Sequence, residues 1–281
     1  MTLPTFRADD DPGPSFLHVL RRAGAEPRWG DLPHDAARPE ITHGTTVVAI
    51  RYADGVVMAG DRRATSGNLI AHRSMEKVFP ADRHSGVAIA GAAGPAVEMV
   101  KLFQLQLEHY EKVEGAELSL EGKANQLAGM VRSHLPAAMQ GFVVVPLFAG
   151  YDVRRGTGRL FEYDVTGGRY EESDFAATGS GSLHAGTVIK LGYRPSLDRT
   201  DAVELAINSL FQAADEDSAT GGPDLVRGIY PVLATITVDG FTRLDDTEIA
   251  ERFRALLDRL AATNSTTTTG TSPTMSEGNA R

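Results

Sequence analysis

The sequence predicts an α+β domain in which two β-sheets stack face to face and helices cover their outer faces. Three observations predict it. Strand-like and helix-like stretches come in blocks: strands, two helices, strands, two helices, strands, one helix. The strand blocks supply two sheets, each with faces to bury, and the helices carry apolar stripes suited to cover them. The chain has 281 residues, 42% of them hydrophobic and 23% charged, which is enough to build cores of that size.

Residues 1–44 hold Pro4, Pro12, Pro14, Pro27, Pro33 and Pro39, several aspartates and few apolar side chains. An irregular segment is expected there, with one short helix at residues 16–20. The composition changes abruptly at Thr45. Residues 45–51 are rich in β-branched side chains and predict a strand, Ala53-Asp54-Gly55 a turn, and residues 56–60 the second arm of a hairpin. Further strands are expected near Lys77-Val78-Phe79 and over residues 86–90, ending in Gly91-Ala92-Ala93-Gly94. Pro95 suits a first helical position, and Val97, Val100, Phe103, Leu107 and Tyr110 give the helix over 95–112 its stripe. Met99, Leu102 and Leu105 widen that apolar face, which implies contacts on two sides. Ser119 is the N-cap of a second helix, whose stripe runs through Leu120, Ala124, Leu127, Val131 and Leu135 to Gly141. Strands follow at 142–151, 160–165 and 170–177, separated by glycine-rich turns. Helices follow at about 182–191 and 200–215, then a hairpin of 230–238 with 241–244, and a last helix at 247–261. The Ser/Thr/Gly-rich stretch from about 263 to 281 predicts a disordered tail.

Composition excludes several function classes. The net charge of −9 gives no electrostatic reason to expect nucleic acid or anionic lipid. No apolar run is long enough to span a membrane, and the N-terminus carries Asp9-Asp10-Asp11 where a signal peptide would be basic, so a cytoplasmic protein is the default. With no cysteine, any covalent catalysis must use Ser, Thr, Lys or a carboxylate. Neither a phosphate-binding loop nor a dinucleotide fingerprint is present, and the eight histidines lack metal-ligand spacing, so no cofactor or metal is expected. Gly179-Ser180-Gly181 does not fit the nucleophile-elbow pattern of serine hydrolases.

Thr45 has two readings. It is the polar start of a strand, or it is a nucleophile exposed by cleavage of the bond after Gly44. A threonine hydroxyl needs a neighbouring base, and a free α-amine on the same residue supplies one. That amine has an ordinary pKa of about 8, so a usable fraction is neutral near neutrality. The carbonyl of Gly44, with no Cβ beside it, is open to attack by the same hydroxyl, and residues 1–44 would then be a leader removed on maturation. Asp61 and Lys77 are surface charges or partners of Thr45; both fall at expected strand ends, read as ends in one sheet. A lysine there lowers the hydroxyl's pKa, the aspartate fixes the lysine, and Arg63 anchors carboxylates nearby. Gly91 is a tight turn or an oxyanion-binding N–H, while Ser180 and Asp217–Thr220 read as a loop and a helix end.

His-Gly-Thr-Thr (43–46), Gly-Asp-Arg-Arg-Ala-Thr (60–65), Glu-Lys-Val-Phe (76–79), Ile-Ala-Gly (89–91), Gly-Ser-Gly-Ser (179–182) and Asp-Ser-Ala-Thr-Gly-Gly (217–222) occur in that order. Together they resemble the β subunits of the actinobacterial 20S proteasome over about residues 42–260. The resemblance implies a four-layer αββα sandwich of the N-terminal-nucleophile hydrolase type, with residues 45–262 as its catalytic domain. It implies Thr45 as nucleophile and base, Asp61 and Lys77 as its charge partners, Gly91 as oxyanion donor, and Ser180 with Asp217 as orienting groups. Thr220 stands where the family often has serine and keeps the hydroxyl. Thr65 and Ala93 match positions that pair with the substrate backbone. The expected partners are α subunits and other β subunits in four stacked rings of seven, α rings outside, with a ring-shaped ATPase unfoldase delivering unfolded proteins. A related, shorter bacterial protease family carries Gly-Asp-Gly-Gln where this chain has Gly-Asp-Arg-Arg, which disfavours it. A non-catalytic ring subunit is the other alternative, and such subunits generally lose the threonine, the lysine or the processing site. Met75, Ile89 and Val97 suggest a pocket for apolar substrate side chains.

Overall fold

A computed structural model of the chain describes residues 16–24 and 44–268. In chain order its first half comprises α1 (Phe16–Arg22), β1 (Thr46–Tyr52), β2 (Gly55–Gly60), β3 (Ala64–Ser66), β4 (Leu69–His72), β5 (Val78–Asp82), β6 (Ser85–Gly91), α2 (Ala93–Glu114), α3 (Leu120–Ser133) and α4 (Leu135–Ala138). Then come β7 (Val144–Asp152), β8 (Thr157–Tyr163), β9 (Arg169–Glu172), β10 (Phe175–Gly179), α5 (Ser182–Gly192), α6 (Arg199–Glu216), β11 (Val232–Thr237), β12 (Gly240–Arg243) and α7 (Asp246–Thr268). One five-stranded sheet runs β10-β1-β2-β11-β12 and the other β5-β6-β7-β8-β9, with β3 and β4 as a separate two-stranded ribbon.

The period-2 alternation of each strand sorts its residues between two cores. Val47, Ala49, Val56 and Met58 of the first sheet meet Ala88, Leu147 and Leu160 of the second, forming the layer between the sheets. Their neighbours Val48, Ile50 and Val57 face outward against Ile189, Val203, Ile207 and Phe253 of α5, α6 and α7. On the other side Val87, Ile89, Phe148 and Phe161 pack on Val100, Phe103, Leu127 and Val131 of α2 and α3. Each large apolar side chain buried this way stabilises the fold by about 1.5–3 kcal/mol. The result is a four-layer αββα sandwich of the N-terminal-nucleophile hydrolase type. Because both faces of its central strands are covered, β1 and β2 read as continuous apolar runs.

Several boundaries differ from the sequence reading. The single strand expected over 170–177 is two, because the chain leaves the second sheet after Glu172 and enters the first at Phe175. The ribbon of β3 and β4 was not expected; β4 is exposed along its length, so burial leaves no alternation to read. The second helix is interrupted at His134, where Pro136 cannot extend the hydrogen-bond ladder of α3. Ser119 does cap α3, accepting from Gly122 N–H at 3.1 Å. The last helix continues to Thr268, past the expected end at 261 and into the stretch expected to be disordered; residues 269–281 lie outside the described residues. The expected helix at 16–20 is α1, which lies against α2 with the Phe16 and His109 rings 5.7 Å apart and tilted by 38°. Among the described residues no helix is long and apolar enough to cross a membrane.

Candidate active site

Antiparallel pairing puts the start of β1 beside the ends of β2 and β10, with Val47 opposite Gly60 and Thr46 opposite Gly179. Asp61 follows β2 directly, and its N–H bonds the Thr46 carbonyl at 3.1 Å. The loop Asp217–Gly222, which ends α6, closes over the same edge. Lys77 comes from the other sheet, immediately before β5. The two charges therefore lie at strand ends of different sheets and meet across the sandwich, not within one sheet as the sequence suggested.

Asp61 is fully buried and every acceptor position on it is used. Oδ1 accepts from Thr46 N–H at 2.9 Å and from Lys77 Nζ at 2.7 Å. Oδ2 accepts from Arg63 N–H at 2.9 Å and Gly221 N–H at 2.8 Å. Lys77 is 0% exposed and gives a second proton to the Arg63 carbonyl at 2.6 Å. Burial drives the Lys77 pKa down, and the attraction of Asp61 recovers only part of the fall, so it lies below the ordinary lysine value. The expected anchoring by Arg63 comes from its backbone: the guanidinium holds the Ser218 carbonyl at 2.8 Å instead of a carboxylate.

A second polar system lies on the other side of Thr45. Ser180 N–H donates to the Thr45 carbonyl at 2.8 Å, and Thr45 N–H points to Ser180 Oγ at 3.3 Å. Ser180 Oγ donates to Asp217 Oδ2 at 2.5 Å, as does Thr220 Oγ1 at 2.6 Å. Burial raises the Asp217 carboxyl, but the hydroxyls of Ser180 and Thr220 and the N–H of Ala219 outweigh it, and the pKa falls below the ordinary carboxylate value. Thr45 itself is 5% exposed.

Two glycines permit this crowding. A Cβ on Gly44 would lie 1.7 Å from the Ala219 Cβ, and one on Gly179, at φ +104°, would lie 1.8 Å from the Thr45 carbonyl oxygen. The Gly44 N–H is held by Thr65 Oγ1 at 3.1 Å. Thr65 therefore grips the residue before the 44–45 bond through its side chain.

The sequence-predicted residues Thr45, Asp61, Arg63, Lys77, Ser180, Asp217 and Thr220, with Gly44 and Thr65, thus come together through hydrogen bonds. Gly91 ends β6 at the edge where Lys77 enters, since the Lys77 carbonyl accepts from Ile89 N–H at 2.9 Å. Its φ of +108° and the Val143 carbonyl 2.1 Å from a Cβ placed there make glycine necessary. Ala93 opens α2, half-buried. Neither Gly91 nor Ala93 takes part in the hydrogen bonds above. Of the apolar candidates, Ile89 is 2% exposed and sealed in the core, while Met75 and Val97 are only partly buried beside it. Sequence reasoning missed Thr46, which is fully buried and whose hydroxyl meets Thr220. Strand alternation was the available signal, since it turns Thr46 to the face opposite Thr45.

The stacked sheets flanked by helices have the architecture of the N-terminal-nucleophile hydrolase fold. Residues 41–226 match the family described as Proteasome subunit. The chain is 59% identical over 253 residues to a proteasome subunit beta of Acidimicrobium ferrooxidans, covering 89% of this chain and 92% of that one. It is 60% identical over 247 residues to the proteasome subunit beta of Streptomyces griseus, covering 87% and 88%, and 52% identical over 245 residues to that of Jonesia denitrificans, covering 85% and 80%. The chain belongs to the proteasome subunit family, as one of its β subunits.

Proposed function

We propose that this chain is the precursor of a threonine endopeptidase, the hydrolytic subunit of a proteasome core. The observation that carries the reading is the setting of Thr45. It follows a glycine that no larger residue can replace, and it sits between the Asp61–Lys77 pair and the Ser180–Asp217 pair. In maturation Thr45 Oγ1 attacks the Gly44 carbonyl carbon. The C–O bond forms, the C–N bond then breaks, and the proton lost from Oγ1 ends on the departing nitrogen, giving an ester and a free Thr45 amine. Water opens the ester, and residues 1–44 leave with a new carboxylate. In turnover the amine takes the hydroxyl proton while Oγ1 attacks the substrate carbonyl, and it returns the proton to the departing peptide amine. Water then releases the acyl group.

Lys77, charged and fixed by Asp61, turns a remaining proton toward the Thr45 hydroxyl and lowers its pKa. Ser180 and Asp217, with Thr220, orient the amine. The Gly91 N–H receives the oxyanion. Thr65 and Ala93 hold the substrate backbone, a role supported for Thr65 by its grip on Gly44. The core hydrolyses peptide bonds of unfolded proteins without ATP of its own. It assembles with α subunits and further β subunits in four stacked rings of seven, fed by a ring-shaped ATPase unfoldase in the cytoplasm.

Thr45→Ala tests this. The variant keeps residues 1–44 attached and loses peptide hydrolysis; retained hydrolysis means that another residue is the nucleophile.

A further inference from the structure

We propose that Thr46 is a positioning residue that ties the two polar systems flanking Thr45 into one unit. The inference rests on the reading of Thr45 as nucleophile and base. Thr46 is fully buried and uses its backbone and its side chain in opposite directions. Its N–H donates to Asp61 Oδ1, the oxygen that also receives Lys77, and its carbonyl accepts from Asp61 N–H. Its hydroxyl lies 2.6 Å from Thr220 Oγ1 and accepts from Gly181 N–H at 2.9 Å.

The direction of the hydroxyl chain follows from counting protons. Each hydroxyl has one to give, and the carboxylate can only accept. The Thr220 proton goes to Asp217 Oδ2, so the Thr46 hydroxyl donates to Thr220 and receives Gly181 N–H. Ser180 also spends its proton on Asp217 Oδ2, which leaves its oxygen free to accept from the Thr45 nitrogen. The chain from Gly181 N–H through Thr46 and Thr220 therefore ends on Asp217 Oδ2, the same oxygen that receives Ser180, and holds that carboxylate in place for it. Donors in such a chain polarise one another. After cleavage the Thr45 nitrogen is the base, and its lone pair must be aimed at its own hydroxyl. Thr46 sets that aim without touching substrate. Residue 181 must be glycine beside this chain, because a Cβ there would lie 2.5 Å from Thr46 Oγ1 and 2.7 Å from Thr220 Oγ1.

Thr46→Val keeps the shape and removes the hydroxyl, while Thr46→Ser restores it. Measured on the assembled, processed protein with a small fluorogenic peptide, Thr46→Val lowers kcat by about tenfold or more with KM within about twofold of the parent. Thr46→Ser returns kcat to the parent value, which a mere packing role for the γ-methyl does not predict. Thr220→Val breaks the same chain from its far end and lowers kcat to a similar degree. The double variant is no worse than the more severe single one, since the two hydroxyls act together. If Thr46→Val does not assemble, the Thr46→Ser and Thr220→Val arms still decide. Unchanged kcat in Thr46→Val or in Thr220→Val, or additive losses in the double variant, overturns the proposal. Hydrolysis that survives Thr45→Ala overturns the nucleophile reading instead.

Discussion

Lys77 is fully buried, and its ion pair with Asp61 and its bond to the Arg63 carbonyl offset the loss of water. Removing one member of a buried pair leaves the other uncompensated, at a cost of about 3–5 kcal/mol. Lys77→Ala is therefore expected to lose nearly all hydrolysis and to lower stability by about that amount, read by denaturant unfolding of the same sample. A surface charge would change both only slightly, and that result would remove Lys77 from the mechanism. The pH dependence separates chemistry from stability. Folding depresses the Lys77 pKa, so the folded chain binds fewer protons than the unfolded chain between the two pKa values. Stability from this group therefore rises with pH there and is lowest when the lysine is charged in both states. In the proposed mechanism activity runs the other way, because that mechanism needs the charge. Hydrolysis is predicted to fall on the alkaline side below the ordinary lysine pKa of about 10.4, before any loss of structure by circular dichroism. Activity and structure lost together in that window would contradict it.

At the scale of elements, the order of blocks, the hairpin of β1 and β2, the wide face of α2 and the cap of α3 were legible because each rests on local chemistry. Ser119 is exposed, so its effect comes from the cap and not from packing. Ser119→Ala is expected to cost about 1 kcal/mol, measured as a lower unfolding midpoint, and no change would show that the cap is not needed. The misread elements failed for physical reasons. Residues 170–177 carry an unbroken strand pattern because both halves are strands, and only the sheets they join distinguish them. Propensity does not report which sheet a strand joins. The β3–β4 ribbon lacks a buried face and so lacks a pattern. The last helix outruns its apolar stripe, which ends near Leu256 and Leu260.

At the scale of the molecule, the candidate site is made by stacking. Thr45 and Asp61 were legible as neighbours, because a hairpin joins them. The meeting of Asp61 with Lys77 was legible as a pair but not as a contact between sheets, since strand pairing is readable locally and sheet packing is not. Thr46 was missed because it opens a continuous apolar run buried on both faces, which hides one buried hydroxyl. Thr65 holds the Gly44 N–H and Ala219 packs against Gly44, the residue before the bond of the proposed cut. The central claim is that this bond breaks and that Thr45 then does the chemistry. The intact mass of the purified, assembled protein tests it most directly. The account predicts a β-subunit species that begins at Thr45, and full-length chain in the Thr45→Ala variant. Full-length parent chain persisting inside a complete, peptide-hydrolysing assembly would contradict it.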